Sequence, residues 1–229
     1  MKKMPTLFER TFANHKVVET LPNIVPGFEW VLEGEGDATI KWDGTCCAFI
    51  DGIFYKRYDA KRNKKTGEYK LPPANAIPCD APDPITGHWP HWVPVDENNP
   101  DDKWFIEAKN KYEWAFGIHQ IPDGTYEAIG KHFNSNPYNM EYDILQRHGV
   151  PVIYNLRGIR TYDTIKTFLQ KHQIEGIVFW KDGSPQCKIK RSDFGFEWPI
   201  KDYSMTNELN DMAKEPRDSL LSKTFVLPE

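Results

Sequence analysis

The residues most able to do chemistry begin at Lys41-Trp42-Asp43-Gly44-Thr45. A lysine at the end of a predicted strand, followed by an acid and a glycine, offers a nucleophilic amine beside a point where backbone can approach a ligand closely. Taken alone, this run reads as a charged strand end followed by a turn. Four further groups follow it in order. Lys56-Arg57 falls on the next predicted strand, Glu127 on a short strand within TYEAIG, Glu175 before the apolar run GIV, and Lys188-Ile189-Lys190 near position 190. The two lysines of that last group share a strand face because side chains alternate. Lysines and separated carboxylates of this kind can surround a metal–triphosphate, although each alone reads as a solvated surface charge.

Gly-rich phosphate loops of the GxxxxGK[ST] and GxGxxG kinds are absent from the sequence, so a bound nucleotide would be held in another way. Five basic residues between 61 and 70, beginning with Lys61 and Arg62, form a candidate contact for a nucleic-acid backbone. HWPHW at 88–92 offers aromatic rings for stacking on unpaired bases, or for packing. The nearby His, Asp and Cys79 fit no compact zinc pattern.

The elements that must position these groups can be read from turn signals and periodicity. Pro5, Pro22 and Pro26 break residues 1–30 into a short approach segment. Residues 37–50 read as strand interrupted near Gly44, and Asp51-Gly52 reads as a two-residue hairpin turn. Pairing Ile50 with Ile53 then sets Cys46 opposite Arg57 and Cys47 opposite Lys56. Residues 71–102 read as a long ordered surface loop, 103–108 and 113–118 as strands, and 125–130 as a strand after an Asp123-Gly124 turn. Helices are predicted at Met140–His148, ended by Gly149, at Thr161–Lys171 and at Ser204–Lys214. Strands are predicted at Ile174–Trp180 and Gln186–Arg191.

The whole chain suits one catalytic domain over residues 1–200 with a short extension over 201–229. Its 229 residues, 39 % hydrophobic and 27 % charged, suffice for a packed core. The formal charge of −4 argues against non-specific coating of long duplexes, but it permits one basic face. Four cysteines without a CxxC pair read as reduced thiols in a cytoplasmic protein. The N-terminus lacks the apolar run of a signal peptide, and no segment is apolar enough to span a bilayer, so no membrane partner is expected.

In this order the motifs resemble the covalent nucleotidyltransferase superfamily of ATP-dependent ligases and capping enzymes. Lys41 to Gly44 match its KxDG nucleophile motif, Lys56 and Arg57 the following basic motif, Glu127 the third-motif acid, Glu175 the fourth, and Lys188 and Lys190 the final KxK. KWDGTCCAFI and DPITGHWPHWVPV are more similar still to the small RNA ligases related to the vertebrate 5′–3′ RNA ligase. The resemblance covers roughly residues 30–200.

It implies an α+β nucleotidyltransferase (ligase adenylation) fold, with two antiparallel β-sheets flanked by helices and ATP between them. It implies an RNA-repair ligase that joins 5′-phosphate and 3′-hydroxyl RNA ends through a Lys41–AMP intermediate, with ATP and Mg²⁺ or Mn²⁺ as cofactors. Lys188 and Lys190 would hold the α-phosphate, Glu127 the ribose and Glu175 the metal. Arg57, supported by Lys56, would meet the transferred or RNA 5′-phosphate, and Asp43 would support the nucleophile. Phe133 and Tyr154 are the candidates for stacking on adenine. A DNA ligase, a GTP-dependent capping-type enzyme and a non-catalytic RNA-end-binding protein remain as alternatives. The roughly 40 residues after Lys190 are too few for an appended oligonucleotide-binding domain, which favours RNA.

Overall fold

The computed structural model describes residues 4–14, 16–63, 65–83, 86–201 and 203. In chain order its strands are β1 (Phe8–Ala13), β2 (Lys16–Ile24), β3 (Asp37–Lys41), β4 (Thr45–Ile50), β5 (Ile53–Lys61), β6 (Ile77–Pro78), β7 (His88–Pro94), β8 (Gly124–Ile129), β9 (Ile144–Arg147), β10 (Gly176–Lys181) and β11 (Ser184–Lys190). The helices are α1 (Glu29–Leu32), α2 (Lys103–Phe116) and α3 (Tyr162–Lys171). The strands form antiparallel sheets of two, three and six strands, so the fold is α+β with antiparallel sheets and flanking helices, consistent with the nucleotidyltransferase type. The chain divides into two compact units, Gly44–His148 and Met4–Asp43 with Gly149 onward.

The first unit is built on the six-stranded sheet, ordered β6-β7-β5-β4-β8-β9. The β4–β5 hairpin turns at Asp51 and Gly52, whose φ values of 51° and 74° are the left-handed pair that a tight two-residue turn requires. Its register is the predicted one, Ile50 opposite Ile53 and Cys47 opposite Lys56. One sheet face carries Cys47, Phe49, Phe54, Tyr126 and Leu145, packed with Ala108 and Tyr112 of α2. The other face carries Cys46 and, across from it, Glu127.

Several expectations fail in this unit. Residues 103–116 form α2 and not the strands expected over 103–108 and 113–118: Ala108, Tyr112 and Ala115 recur at helical spacing on its buried side, and Gly117, at φ 54°, ends it in the left-handed region. Its aromatics favour strands by propensity, but tertiary burial of one helical face outweighs that preference. Residues 144–147, expected in a helix, form β9 on the sheet edge beside β8. Four residues are too few for periodicity to separate the two states. The span 71–102, expected as a surface loop, instead contains β6 and β7: HWPHW lies in β7, paired with β5 from Tyr55–Pro94 to Lys61–His88, and Trp92 and His91 are buried. Packing therefore takes up these two rings. Phe133 is likewise spent in the core, edge-on to Phe105.

The second unit holds the three-stranded sheet β11-β10-β3 and the β1–β2 hairpin. That hairpin replaces the irregular approach segment expected from the prolines; Pro22 is accommodated where its register shifts. Ala38, Ile40, Ile177, Phe179, Cys187 and Ile189 lie on one sheet face and are buried. The stripe Ile165, Phe168 and Leu169 of α3 is buried as well. Thr161 caps α3 as predicted, accepting from Thr164 N while the Thr164 hydroxyl reaches back to the Thr161 amide. Arg191 ties the other end of α3, donating to the carbonyls of Leu169 and His172. The predicted Ser204–Lys214 helix and the Tyr154 side chain lie outside the described residues.

Candidate active site

Lys41, Gly176 and Lys190 are direct cross-strand partners on β3, β10 and β11. Val178 is the next such position, flanked by Thr39 and Lys188. Period-two alternation therefore brings Lys41, Lys188 and Lys190 onto the face opposite the apolar core. Glu175, at the entry to β10 and 3 % exposed, joins two of them. Its Oε2 lies 2.5 Å from Lys41 Nζ and its Oε1 lies 2.5 Å from Lys190 Nζ. One buried carboxylate thus fixes two ammonium groups that would otherwise repel.

Lys188 is pushed down to about 8, chiefly by burial and then by the charges of Lys41 and Lys190. The edge of β11 is covered there: Lys188 O accepts from Leu7 N, and Lys188 N donates to Pro5 O. Gly176 is required for the arrangement, since a Cβ on it would sit 2.3 Å from Ile189 O. Asp43 Oδ2 accepts from Trp198 Nε1 at 2.7 Å, so a residue beyond β11 holds the acid of the Lys41 motif.

The first unit carries the rest. Glu127 Oε1 accepts from Gly44 N at 3.1 Å, which ties the acid to the glycine of the Lys41 motif. A Cβ on Gly44 would sit 2.2 Å from Ala128 O, so only glycine fits that approach. Glu127 Oε2 lies 3.0 Å from His148 Nε2, and His148 Nδ1 lies 2.9 Å from Thr125 Oγ1. Arg57 donates to Asp59 Oδ1 at 2.9 Å and hydrogen-bonds Cys46. Burial, and then the Glu127 charge, push the Cys46 thiol far above its ordinary value, opposed by Arg57.

The structure thus gathers Lys41, Glu175, Lys188 and Lys190 in one unit, and Arg57, Cys46 and Glu127 on one sheet face in the other. It does not group Lys56 with Arg57. Lys56 points to the α2 side and pairs with the buried Asp102. Lys61 and Arg62 lie exposed at the end of β5, where Arg62 Nε donates to Gly67 O at 2.6 Å. Two residues went unread in the sequence. His148 sits in a stretch read as helix, and Trp198 carries no motif; only the neighbouring strand and the return of the chain bring them to Glu127 and Asp43. Among the described residues no helix is long and apolar enough to cross a membrane.

Antiparallel sheets flanked by helices, one presenting three lysines around a carboxylate in the expected motif order, are consistent with a protein of the covalent nucleotidyltransferase class. A family model described as RNA ligase 1 matches residues 114–214, a span that holds Glu127, Glu175, Lys188 and Lys190. RNA ligase 1 of Pongo abelii is 27 % identical over 228 residues, covering 74 % of this chain and 70 % of that protein. RNA ligase 1 of Rattus norvegicus is 26 % identical over 236 residues, covering 75 % and 71 %. RNA ligase 1 of Danio rerio reaches 30 % over 141 residues, covering 51 % and 43 %. The chain is thus similar to RNA ligase 1 proteins over much of its length, and to that family's model over residues 114–214.

Proposed function

We propose that this chain is an ATP-dependent RNA ligase that joins 5′-phosphate to 3′-hydroxyl ends through a lysyl-AMP intermediate on Lys41. The observation that supports this most is the Glu175 carboxylate shared by Lys41 and Lys190, which holds a nucleophile candidate beside a cationic pair on one sheet face. Simple RNA binding needs no such amine.

In the first step Lys41 Nζ attacks the α-phosphorus of ATP. An N–P bond forms, the P–O bond to pyrophosphate breaks, and pyrophosphate leaves with the electron pair. A lysine in water has a pKa of about 10.4, so the ammonium must lose its proton before the lone pair can react. Lys41 is 20 % exposed, enough for solvent to carry that proton away. Lys188 and Lys190 provide the positive charge that phosphoryl transfer needs around the α-phosphate oxygens. In the second step a 5′-phosphate oxygen of RNA attacks the same phosphorus, the N–P bond breaks and the amine is restored. In the third a 3′-hydroxyl attacks the RNA 5′-phosphorus, loses its proton and displaces AMP.

Glu175 is a hard oxygen donor of the kind a divalent cation takes, but Lys41 and Lys190 occupy both its oxygens, so an ion would have to displace one of them or bind through water. Mg²⁺ or Mn²⁺ held there would offset the charge of the departing pyrophosphate. Glu127 meets the ATP ribose in this reading, and Arg57 presents its planar fork to the 5′-phosphate. Asp43, steadied by Trp198, serves the nucleophile and the later steps. Four free cysteines support a reducing, cytoplasmic setting.

Intact-mass analysis after incubation with ATP and Mg²⁺ tests the proposal. One added AMP, mapped to Lys41 and absent from Lys41→Ala, is expected, followed by its transfer to 5′-phosphorylated RNA. Covalent AMP on Lys41→Ala, exclusive transfer of GMP, or sealing of nicked DNA but not RNA would each refute it.

A further inference from the structure

Cys46, Glu127 and His148 bring a sulfur, a carboxylate oxygen and an imidazole nitrogen within 4.8 Å of one another, all partly buried. The sheet builds the cluster. Cys46 and Glu127 are cross-strand partners on β4 and β8, and His148, one residue past β9, donates its amide to Thr125 O at 3.0 Å. Thr125 and Glu127 are two apart on β8, so the three donors stand on one face across three adjacent strands. We propose that in the nucleotide-free chain these residues form a binding site for a thiophilic divalent cation of the Zn²⁺ class, distinct in chemistry from the oxygen-only preference of Mg²⁺; the ion would take Glu127 from the ATP ribose, so metal and nucleotide alternate there.

Three arguments carry it. The donor set is mixed S, N and O, which suits zinc and its congeners, whereas magnesium takes oxygen alone. Zinc with ligands at about 2.0–2.3 Å sets tetrahedral neighbours roughly 3.3–3.8 Å apart. Side-chain movements of about an ångström close the present spacing to that value. The ion would take the place of the Cys46 proton, a thiolate and the Glu127 carboxylate then cancelling its charge, with the Arg57 charge set against Asp59. Arg57, which now hydrogen-bonds Cys46, would keep its Asp59 partner. His148 is already oriented from behind, because Thr125 Oγ1 holds Nδ1 and sends Nε2 toward Glu127. That is the outer hydrogen bond typical of metal-bound histidines.

Binding alone tests this, without reference to ligase activity. Titrating the reduced full-length chain with Co²⁺ should produce the near-ultraviolet thiolate-to-cobalt absorption at one equivalent, and Zn²⁺ should abolish it by displacement. Cys46→Ser should remove the band while Cys79→Ser keeps it, with circular dichroism verifying the fold of both. Thr125→Val keeps all three ligands and should weaken binding by about 10–100-fold. Absence of a band, a band that survives Cys46→Ser, or a band lost with Cys79→Ser would overturn the proposal.

Discussion

Replacing Glu175 with Gln removes the charge that joins Lys41 and Lys190 and keeps the side-chain shape. Taking one partner from a buried ion pair leaves its counter-charge unbalanced, commonly at a cost of ~3–5 kcal/mol. The lysine side chains here are 20 % and 33 % exposed, so their ammonium ends recover part of their hydration. The loss should therefore be smaller, about 2–3 kcal/mol. For a chain of this size that is a fall in Tm of roughly 4–12 °C. Lys41→Met should cost less, because Glu175 keeps Lys190. Adding Lys41→Met to Glu175→Gln should restore about 1 kcal/mol, since it takes one cation from a crowded set of three. Urea denaturation at neutral pH, followed by circular dichroism, measures all three variants. A Glu175→Gln chain within about 0.5 kcal/mol of the parent would refute the reasoning, as would a double variant less stable than Glu175→Gln by the full single-variant loss.

Lys188→Met should be neutral to stabilising at neutral pH but should slow AMP transfer, because Lys188 is held charged against burial and two like neighbours. With the folded value about 8 against 10.5 for the free group, the unfolded chain binds more protons between them. The parent should thus gain stability relative to Lys188→Met as pH rises through that window and lose it as pH falls back through 8; parallel denaturation curves at pH 7 and pH 10 check this. Gly176→Ala should abolish AMP transfer, because its Cβ would force β10 from β11 beside Lys190; loss of intact-mass adduct with the fold retained by circular dichroism is the expected result. Asp102→Asn should destabilise the first unit by about 1–3 kcal/mol, measured by urea denaturation, since the buried carboxylate pairs with Lys56 and accepts from Asp96 N at 3.0 Å.

By itself the sequence determined the local pieces whose signals are short-range. Asp51-Gly52 set the hairpin and its register because few backbones satisfy two left-handed residues. Thr161 and its following stripe set α3, and alternation put Lys188 and Lys190 on one face. The ordered motifs named the candidate site residues, though not their contacts. Tertiary structure alone decided what depends on partners distant in the chain. Whether 103–118 would be helix or strand, and whether 144–147 would be helix or strand, turned on which face found burial and whether a neighbouring edge was open. Lys56 and Arg57 look alike in the sequence, yet strand alternation gives one to Asp102 and the other to the Cys46–Glu127 face. Glu175 meets Lys41 across 134 positions, Trp198 meets Asp43 across 155, and His148 meets Glu127 across 21. Such contacts are set by strand order and register, which no local pattern of residue types encodes.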